Sequence, residues 1–191
     1  MFSNYFEIGF THILDIKGYD HILFLTALCL PFLLKDWKRV LYLATAFTIG
    51  HSITLACVTL DVIKVSPDLI EFFIPVTIAL TALYDLLKKQ GTIGLSYIGA
   101  LLFGFIHGMG FSNFLRSALL PGEENQLVWQ LLVFNLGIEI GQIIIVIIAL
   151  IFYTMIHHFT KDLKLFKKPG YQVIIGVIII IWALIMASQR F

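Results

Sequence analysis

Six long apolar stretches follow one another along this 191-residue chain, with only short polar connections between them. A bilayer core about 30 Å thick needs about 20 apolar residues in helical form, and each stretch approaches that length. In lipid only helices and closed barrels satisfy the backbone, and these uninterrupted runs lack the alternation of barrel strands. The sequence predicts an all-α, polytopic membrane protein, a six-helix transmembrane bundle with short loops. The predicted spans of this single integral membrane domain, residues 1–191, are 19–34, 40–60, 69–87, 93–115, 127–156 and 171–188.

The composition agrees with a chain that faces lipid. Apolar residues make up 59% and charged residues 13% of the sequence, with a mean hydropathy of +0.94. Soluble domains carry about a quarter charged residues, so soluble globular proteins are excluded as a class. The net charge of +1 gives no reason to expect nucleic acid as a partner. The expected partners are the bilayer and a metal ion, and a homo-oligomer is left open.

The five predicted loops, 35–39, 66–68, 88–91, 121–125 and 161–170, differ in charge. Basic residues concentrate in the first, third and fifth loops, which the positive-inside rule places in the cytoplasm, so both termini are predicted to lie outside. No basic residue precedes Lys17, so we expect no cleavable signal peptide. Before that position, Phe2, Phe6 and Phe10 recur at helical spacing, which predicts a short N-terminal interfacial helix; the alternative is a loosely ordered tail. The nine basic residues of the first, third and fifth loops are Lys35, Lys38, Arg39, Lys88, Lys89, Lys161, Lys164, Lys167 and Lys168.

Polar residues inside or at the mouths of the spans are the most informative part of the sequence. A buried Asp costs roughly 2.5 to 3.5 kcal/mol on insertion scales, so such residues usually face the bundle interior and are functional. Four predicted spans carry them. They are His12, Asp15, Asp20 and His21 at the outer mouth of the first span, His51 and Ser52 in the second, His107 in the fourth, and Asn135, Glu139 and Gln142 in the fifth.

The depths of these residues predict that they converge. At about 1.5 Å per residue, His51 and His107 lie roughly 12 to 14 Å below the outer surface and Glu139 about 18 Å below it. Pairs of small residues four apart allow the helices to approach closely. We therefore predict one pocket in the outer half of the bundle. The small-residue pairs are Gly104 with Gly108 and Gly137 with Gly141.

Imidazole together with carboxylate is the ligand set of divalent nickel, zinc, cobalt or iron, whereas calcium and magnesium sites are nearly all oxygen. A metal-binding imidazole usually donates its second N–H to a carboxylate or amide, a role open to Asp15, Asn135 or Gln142. Ser52 beside His51 is either a further supporting group or a hydroxyl that back-bonds to its own helix. Any one intramembrane histidine alone could be purely structural. The predicted metal ligands are His12, Asp20, His21, His51, His107 and Glu139.

Four segments, GFTHILDIKGYDHILFL, TAFTIGHSITLA, FGFIHGMGF and FNLGIEIGQ, resemble in this order the signature segments of the HupE/UreJ family. The resemblance implies a small polytopic protein of the bacterial inner membrane, with both termini then periplasmic. It also implies a nickel permease or accessory protein that supplies hydrogenase and urease. By this resemblance the family's motif positions fall on His12, Asp20, His21, His51, His107 and Gly108.

Three functions use the same residues. In a transporter, a divalent transition metal enters from outside at Asp20 and His21 and passes to the deeper ligands. In an intramembrane metal-dependent hydrolase, the metal generates hydroxide that attacks a lipid or a membrane-anchored acyl substrate. A storage or assembly subunit would bind the ion without moving it. The sequence favours transport over an enzyme and leaves the choice between nickel, zinc, cobalt and iron open.

Overall fold

The structure is a computed structural model that describes residues 2–87, 94–118, 126–160, 162–165 and 168–190. The predicted loops 88–91 and 121–125 lie outside these residues, as do Lys161 and Lys167 of the fifth loop. Seven α-helices and one two-stranded hairpin form the described chain. The helices are α1 (Phe2–Leu14), α2 (Asp20–Cys29), α3 (Trp37–Thr59), α4 (Pro67–Leu87), α5 (Gly94–Ala118), α6 (Leu127–Thr160) and α7 (Gly170–Gln189). A 3-10 turn (Leu34–Asp36) precedes α3, and strands β1 (Lys164–Leu165) and β2 (Lys168–Pro169) precede α7.

The all-α prediction is confirmed, but a bundle of six membrane-crossing helices is not. Within the described residues, four helical stretches are long and apolar enough to cross a bilayer, namely Leu34–Thr59, Pro67–Leu87, Leu127–Thr160 and Gly170–Gln189. The predicted span 19–34 corresponds to a shorter apolar helix, Asp20–Cys29, and the predicted span 93–115 corresponds to α5, whose stretch Ser96–Phe111 is apolar. At ten residues, α2 is about 15 Å long, half the thickness of a bilayer core.

Pro31 explains why α2 is short. Proline has no N–H, so it cannot donate to the carbonyl of Ala27 and continue the helix. The Leu30 amide donates to that carbonyl instead, at 3.1 Å, which closes a tight turn. After the turn, the Leu34 amide donates to the Thr154 hydroxyl at 2.9 Å. A side chain of α6 thereby satisfies a backbone group that the shortened helix leaves without a helical partner.

Glycines bring α1 and α6 into close contact. A Cβ at Gly9 would overlap the Phe134 carbonyl, and a Cβ at Gly137 would overlap the Phe6 carbonyl. The side chain of Ile13, farther along α1, has no exposed surface. The helical spacing in the first residues therefore predicts a helix correctly, but this helix packs along α6 as part of the bundle. Its position relative to the lipid headgroups stays a prediction.

A second close pair is formed by α3 and α5, which run in the same direction. A Cβ at Gly104 would overlap the Phe47 carbonyl, and a Cβ at Gly108 would overlap the His51 carbonyl. Gly50 of α3 is equally close to the backbone of α5. The prediction that small residues allow close helix approach is confirmed at these positions.

The third pair is α4 with α7, and α2 lies among the three pairs, in contact with α4 and α6. We call the end of the bundle where α3 ends, α4 begins and α7 ends the Arg190 end. The opposite end, where α7 begins, is the Lys168 end. Which of the two faces the cytoplasm stays a prediction.

Candidate metal centre

Four histidines from four different helices lie together, and we call them the histidine cluster. The ring centroids of His12 and His21 are 4.6 Å apart, and those of His21 and His107 are 4.7 Å apart. The ring of His51 lies 6.1 Å from His12 and 6.2 Å from His21. The structure thus brings together all four predicted imidazoles, which come from α1, α2, α3 and α5. Their role as metal ligands stays a prediction.

Two features of the chain create this convergence. The glycine contact between α3 and α5 places Gly108, the neighbour of His107, directly against the backbone of His51. In addition, α1 and α2 follow one another along α6, since Ile13 lies against Gly141 while the Tyr153 hydroxyl donates to the Thr26 carbonyl at 3.1 Å. The break between α1 and α2 places the last turn of one and the first turn of the other at the cluster.

Asp20 fixes the orientation of His21. Its Oδ1 atom lies 3.0 Å from His21 Nδ1, and its Oδ2 atom lies 3.7 Å from Arg190 Nη1. On the other side of the ring, His21 Nε2 lies 3.2 Å from His107 Nδ1. With His21 neutral and its Nδ1–H donated to the carboxylate, Nε2 accepts, so His107 must donate from Nδ1. This tautomer assignment leaves His107 Nε2 with a lone pair.

Several nitrogens of the cluster are buried without a hydrogen-bond partner among the described residues. They are His12 Nε2, both ring nitrogens of His51 and His107 Nε2. His51 is 0% exposed and His107 is 2% exposed. A buried polar group without a partner costs about 1–3 kcal/mol, which coordination of a cation by the lone pairs would offset. The donor set, imidazole nitrogen with one nearby carboxylate, suits nickel, cobalt, zinc or iron.

In the described part of the chain, the side chains of the histidine cluster do not have the arrangement of a metal-bound site. Within the described residues, no group of three or more His, Cys, Asp or Glu side chains is positioned to hold an ion together. Binding would therefore require the imidazoles to turn about their side-chain torsions, which closely neighbouring rings on separate helices can do.

A polar cavity of about 210 Å³ adjoins the cluster at the Arg190 end, and we call it the histidine cavity. Glu71 of α4 and Arg190 contribute charge to its wall. Since a water molecule takes up about 30 Å³ in the liquid, the cavity has room for an ion with several waters. The other polar side chains in its wall are His12, Asp15, Asp20, His21 and His107.

Glu139 belongs to a different set of polar side chains, the Glu139 group, formed with Thr45, Thr48 and Gln142. Its carboxylate accepts hydrogen bonds from Thr45 at 2.6 Å and from Thr48 at 2.9 Å. Gln142 Oε1 lies 3.0 Å from the Thr48 hydroxyl. Among the described residues, the hydrogen bonds of Glu139 go to α3 and not to the histidines. Glu139 as a metal ligand therefore stays a prediction.

The residues predicted to support the imidazoles make other contacts. Asp15 is exposed and accepts the Lys17 amide at 2.8 Å. The Ser52 hydroxyl donates to the Thr48 carbonyl of its own helix at 2.6 Å. Asn135 Oδ1 is buried without a partner in the described part of the chain. In that part, neither these three residues nor Gln142 hydrogen-bonds an imidazole, and Asp20 takes this role instead.

Aromatic residues surround the cluster, and the sequence does not single them out. The Phe111 ring centroid lies 3.7 Å from that of His12, and Phe103 lies 4.2 Å from His107. Phe47 and Phe134 are fully buried nearby. No periodicity in the sequence distinguishes these rings from lipid-facing ones, since the helices are apolar on every side.

The model of the HupE / UreJ protein family matches residues 1–186. The chain belongs to the HupE/UreJ family. The match covers the entire histidine cluster and Asp20, while Arg190 lies just beyond it. No curated protein and no solved structure matches the chain. The HupE/UreJ resemblance of the four signature segments is thereby confirmed.

Proposed function

We propose that this HupE/UreJ protein is a membrane transporter for a divalent transition metal, with nickel or cobalt as cargo. The family is associated with nickel or cobalt transport or with urease accessory function. The observation that supports transport most directly is the buried set of imidazole nitrogens that have no hydrogen-bond partner among the described residues. Zinc and iron share this ligand chemistry, so the metal itself is an outcome of the test.

In this proposal each residue has a distinct part. The ion enters the histidine cavity, where the Asp20 carboxylate attracts it and holds His21 in one orientation. His12, in the last turn of α1, lies at the helix end whose dipole favours a cation. His51 and His107 complete the site with the nitrogens that have no partner in the described part of the chain. Glu139 as a ligand would have to give up its hydrogen bonds from Thr45 and Thr48, so we assign it a secondary place.

We place the protein in the bacterial inner membrane with the Arg190 end and both termini on the periplasmic side. The basic residues of the first loop, Lys35, Lys38 and Arg39, belong to the Lys168 end, which the positive-inside rule assigns to the cytoplasm. The histidine cavity then opens toward the periplasm, from which metal would be taken up.

Hydrolysis of a lipid substrate is the less favoured alternative. It needs an apolar groove that leads an acyl chain to the imidazoles. An apolar cavity between α4 and α5 is lined by Phe24, Phe103 and Ile106 on the side of the cluster, and none of the four histidines is among the described residues that line it. An acyl chain in that cavity would be separated from the metal by two aromatic rings.

The test is metal uptake and metal binding by purified protein. Proteoliposomes should accumulate nickel or cobalt, and competition among nickel, cobalt, zinc and iron should identify the cargo. We expect His51→Ala to abolish uptake and to remove bound metal, as measured by elemental analysis. His158→Ala, which changes an exposed histidine at the far end of α6, is the matched control and should behave like the wild type. Normal uptake and binding in His51→Ala would contradict the proposal.

A further inference from the structure

Two cavities lie one after the other along the same three helices. The histidine cavity is lined by His21 of α2, Ile74 of α4 and His107 of α5. A second cavity of about 380 Å³, which we call the inner cavity, is lined by later residues of α2 and α4 and by earlier residues of α5, and it is open along the side where Leu80, Ile98 and Leu102 are exposed. Because α5 runs opposite to α4, these residues all lie toward the Lys168 end. The groove between α2, α4 and α5 therefore continues past the histidine cluster.

Two stacked aromatic rings interrupt this groove. The rings of Phe24 and Phe103 lie 3.8 Å apart, centroid to centroid, and are inclined by only 10°. Both rings line the inner cavity, and Phe103 also contacts His107 on the other side. Phe47 packs on Phe24 at 5.1 Å. An apolar constriction of this kind closes a passage to a hydrated ion because water does not fill it.

The backbone hydrogen bonding of α4 lacks one donor at the same level. Pro75 lies within α4, between Ile74 of the histidine cavity and Thr77 of the inner cavity. Proline has no N–H, so the Glu71 carbonyl loses its helical donor, and Arg190 Nη1 occupies that position at 3.4 Å. A proline in the middle of a helix is a common place for the two halves to bend. The wall of the groove can therefore change shape beside the Phe24–Phe103 stack.

Polar groups occupy the far end of the inner cavity. Tyr84, Asp85 and Ser96 line it there, with Asp85 only 5% exposed. The Lys168 side chain donates to the Asp85 carbonyl at 2.9 Å, which marks this end of the bundle. All three groups offer oxygen atoms. Nickel, cobalt and zinc bind imidazole well, whereas sites built only of oxygen suit magnesium, calcium or manganese, so these metals would be held more weakly here than at the histidines.

We propose that the groove between α2, α4 and α5 is the path of the metal ion through the protein. The Phe24–Phe103 stack is its barrier, and Asp85 is a second binding position from which the ion is released. The inference rests on the proposed transport function and assigns the route within it. The fall in affinity from imidazole to oxygen ligands favours release at the Lys168 end.

The first test is Asp85→Asn, which keeps the shape of the side chain and removes its charge. We expect nickel or cobalt uptake into proteoliposomes to fall by about tenfold or more, while equilibrium binding at the histidine cluster stays unchanged. Asp68→Asn, an exposed acid in the first turn of the same helix, is the control and should transport normally. Wild-type uptake in Asp85→Asn overturns the second binding position.

The second test fills the inner cavity without disturbing the core. Gly99 lines this cavity, and a Cβ there would have no neighbouring atom within 4 Å. We expect Gly99→Trp to block uptake and leave metal binding intact. Ile148→Trp, at a lipid-facing site of α6, is the matched control. Gly99→Leu repeats the experiment with a smaller side chain if the tryptophan variant fails to fold.

The outcomes separate this inference from the proposed function. Wild-type uptake in the folded Gly99 variants overturns the path between α2, α4 and α5. A wild-type protein that neither binds nor accumulates a transition metal overturns transport itself, and the path with it. Loss of uptake with metal binding retained, in both Asp85→Asn and Gly99→Trp, supports the path.

Discussion

The histidine cluster and the Glu139 group are two polar sets buried in the same apolar bundle, and they differ in how their hydrogen bonds are satisfied. Each set includes a residue of α3, His51 in the cluster and Thr48 in the Glu139 group, and these two residues lie one helical turn apart. In the Glu139 group both carboxylate oxygens accept a threonine hydroxyl. In the histidine cluster four ring nitrogens have no partner among the described residues. Polarity inside a span is therefore a weaker sign of a ligand site than an incomplete set of hydrogen bonds.

The hydrogen bonding of Gln142 in the Glu139 group depends on which atom of its amide, Oε1 or Nε2, faces Thr48. As oriented, its Nε2 atom has no partner among the described residues, and its Oε1 atom faces the Thr48 hydroxyl. That hydroxyl has one hydrogen and already faces the Glu139 carboxylate. Rotating the amide by half a turn lets Nε2 donate to the Thr48 oxygen, and the Glu139 group then closes on itself.

The largest expected difference is in metal affinity. His107→Ala removes the nitrogen whose lone pair the tautomer assignment leaves free, and we expect nickel affinity to fall by about 100-fold or more, or about 2.7 kcal/mol. Glu139→Gln should change affinity by less than about threefold, since its carboxylate is engaged with α3. Titration against a competing chelator measures both. Equal losses of nickel affinity in the two variants would show that Glu139 is a metal ligand and would contradict the distinction between the two polar sets.

Removing the metal should affect stability through the histidine cluster alone. At a free metal concentration 100 times the dissociation constant, binding adds about 2.7 kcal/mol to the free energy of unfolding. We expect a chelator to lower the melting temperature of the wild type and of Glu139→Gln by similar amounts. His51→Ala should show no shift on chelation. A shift that persists in His51→Ala would place the metal elsewhere.

Asp20→Asn should have a smaller effect than the loss of an imidazole. The amide keeps the shape of the side chain but removes the anion that orients His21, and losses of about tenfold or more in metal affinity are typical for such supporting residues. Asp15→Asn, at an exposed acid in the wall of the same cavity, is the control. Isothermal titration with nickel measures both variants. Equal affinity in the two variants would show that the contact between Asp20 and His21 is not used in binding.

The smallest effect is expected at Thr48. Thr48→Val removes the hydroxyl shared by Glu139 and Gln142, and we expect a loss of about 1 kcal/mol in the free energy of unfolding. Nickel affinity should stay within about threefold of the wild type. Thr77→Val, which removes a hydroxyl that donates to carbonyls of its own helix, is the control for thermal unfolding. A large change in affinity would link the two polar sets functionally.

The sequence predicts the helical class and the meeting of the four imidazoles because depth along a helix follows from residue count. Depth does not give the rotation or crossing of helices, so Glu139, at about the expected height, contacts Thr45 and Thr48 instead of the histidines. The apolar stretch 19–34 predicts a longer helix than α2, because hydropathy does not mark the end of the helix before Pro31. Arg190, which contacts Asp20, lies at a helix end, where a charge ordinarily indicates surface.

The site also shows which contacts are hard to infer from one sequence. Glycine spacing predicts a close helix contact at Gly104 and Gly108, and it does not predict that α3 is the helix that makes this contact. The packing of α1 along α6 depends on Gly9 as well, a single small residue in a segment whose spacing equally suits a membrane surface. Long-range partners such as Thr154 for the Leu34 amide have no local signal, because the two residues are far apart in the chain.

The glycine contacts have a mechanical consequence for the cluster. His12 belongs to the α1–α6 pair, and His51 and His107 belong to the α3–α5 pair. His21 belongs to α2, which is outside both pairs. Cargo held by all of them would couple the motions of these three units, and its departure would let them move independently. The internal flexibility of the protein would then report whether it is loaded.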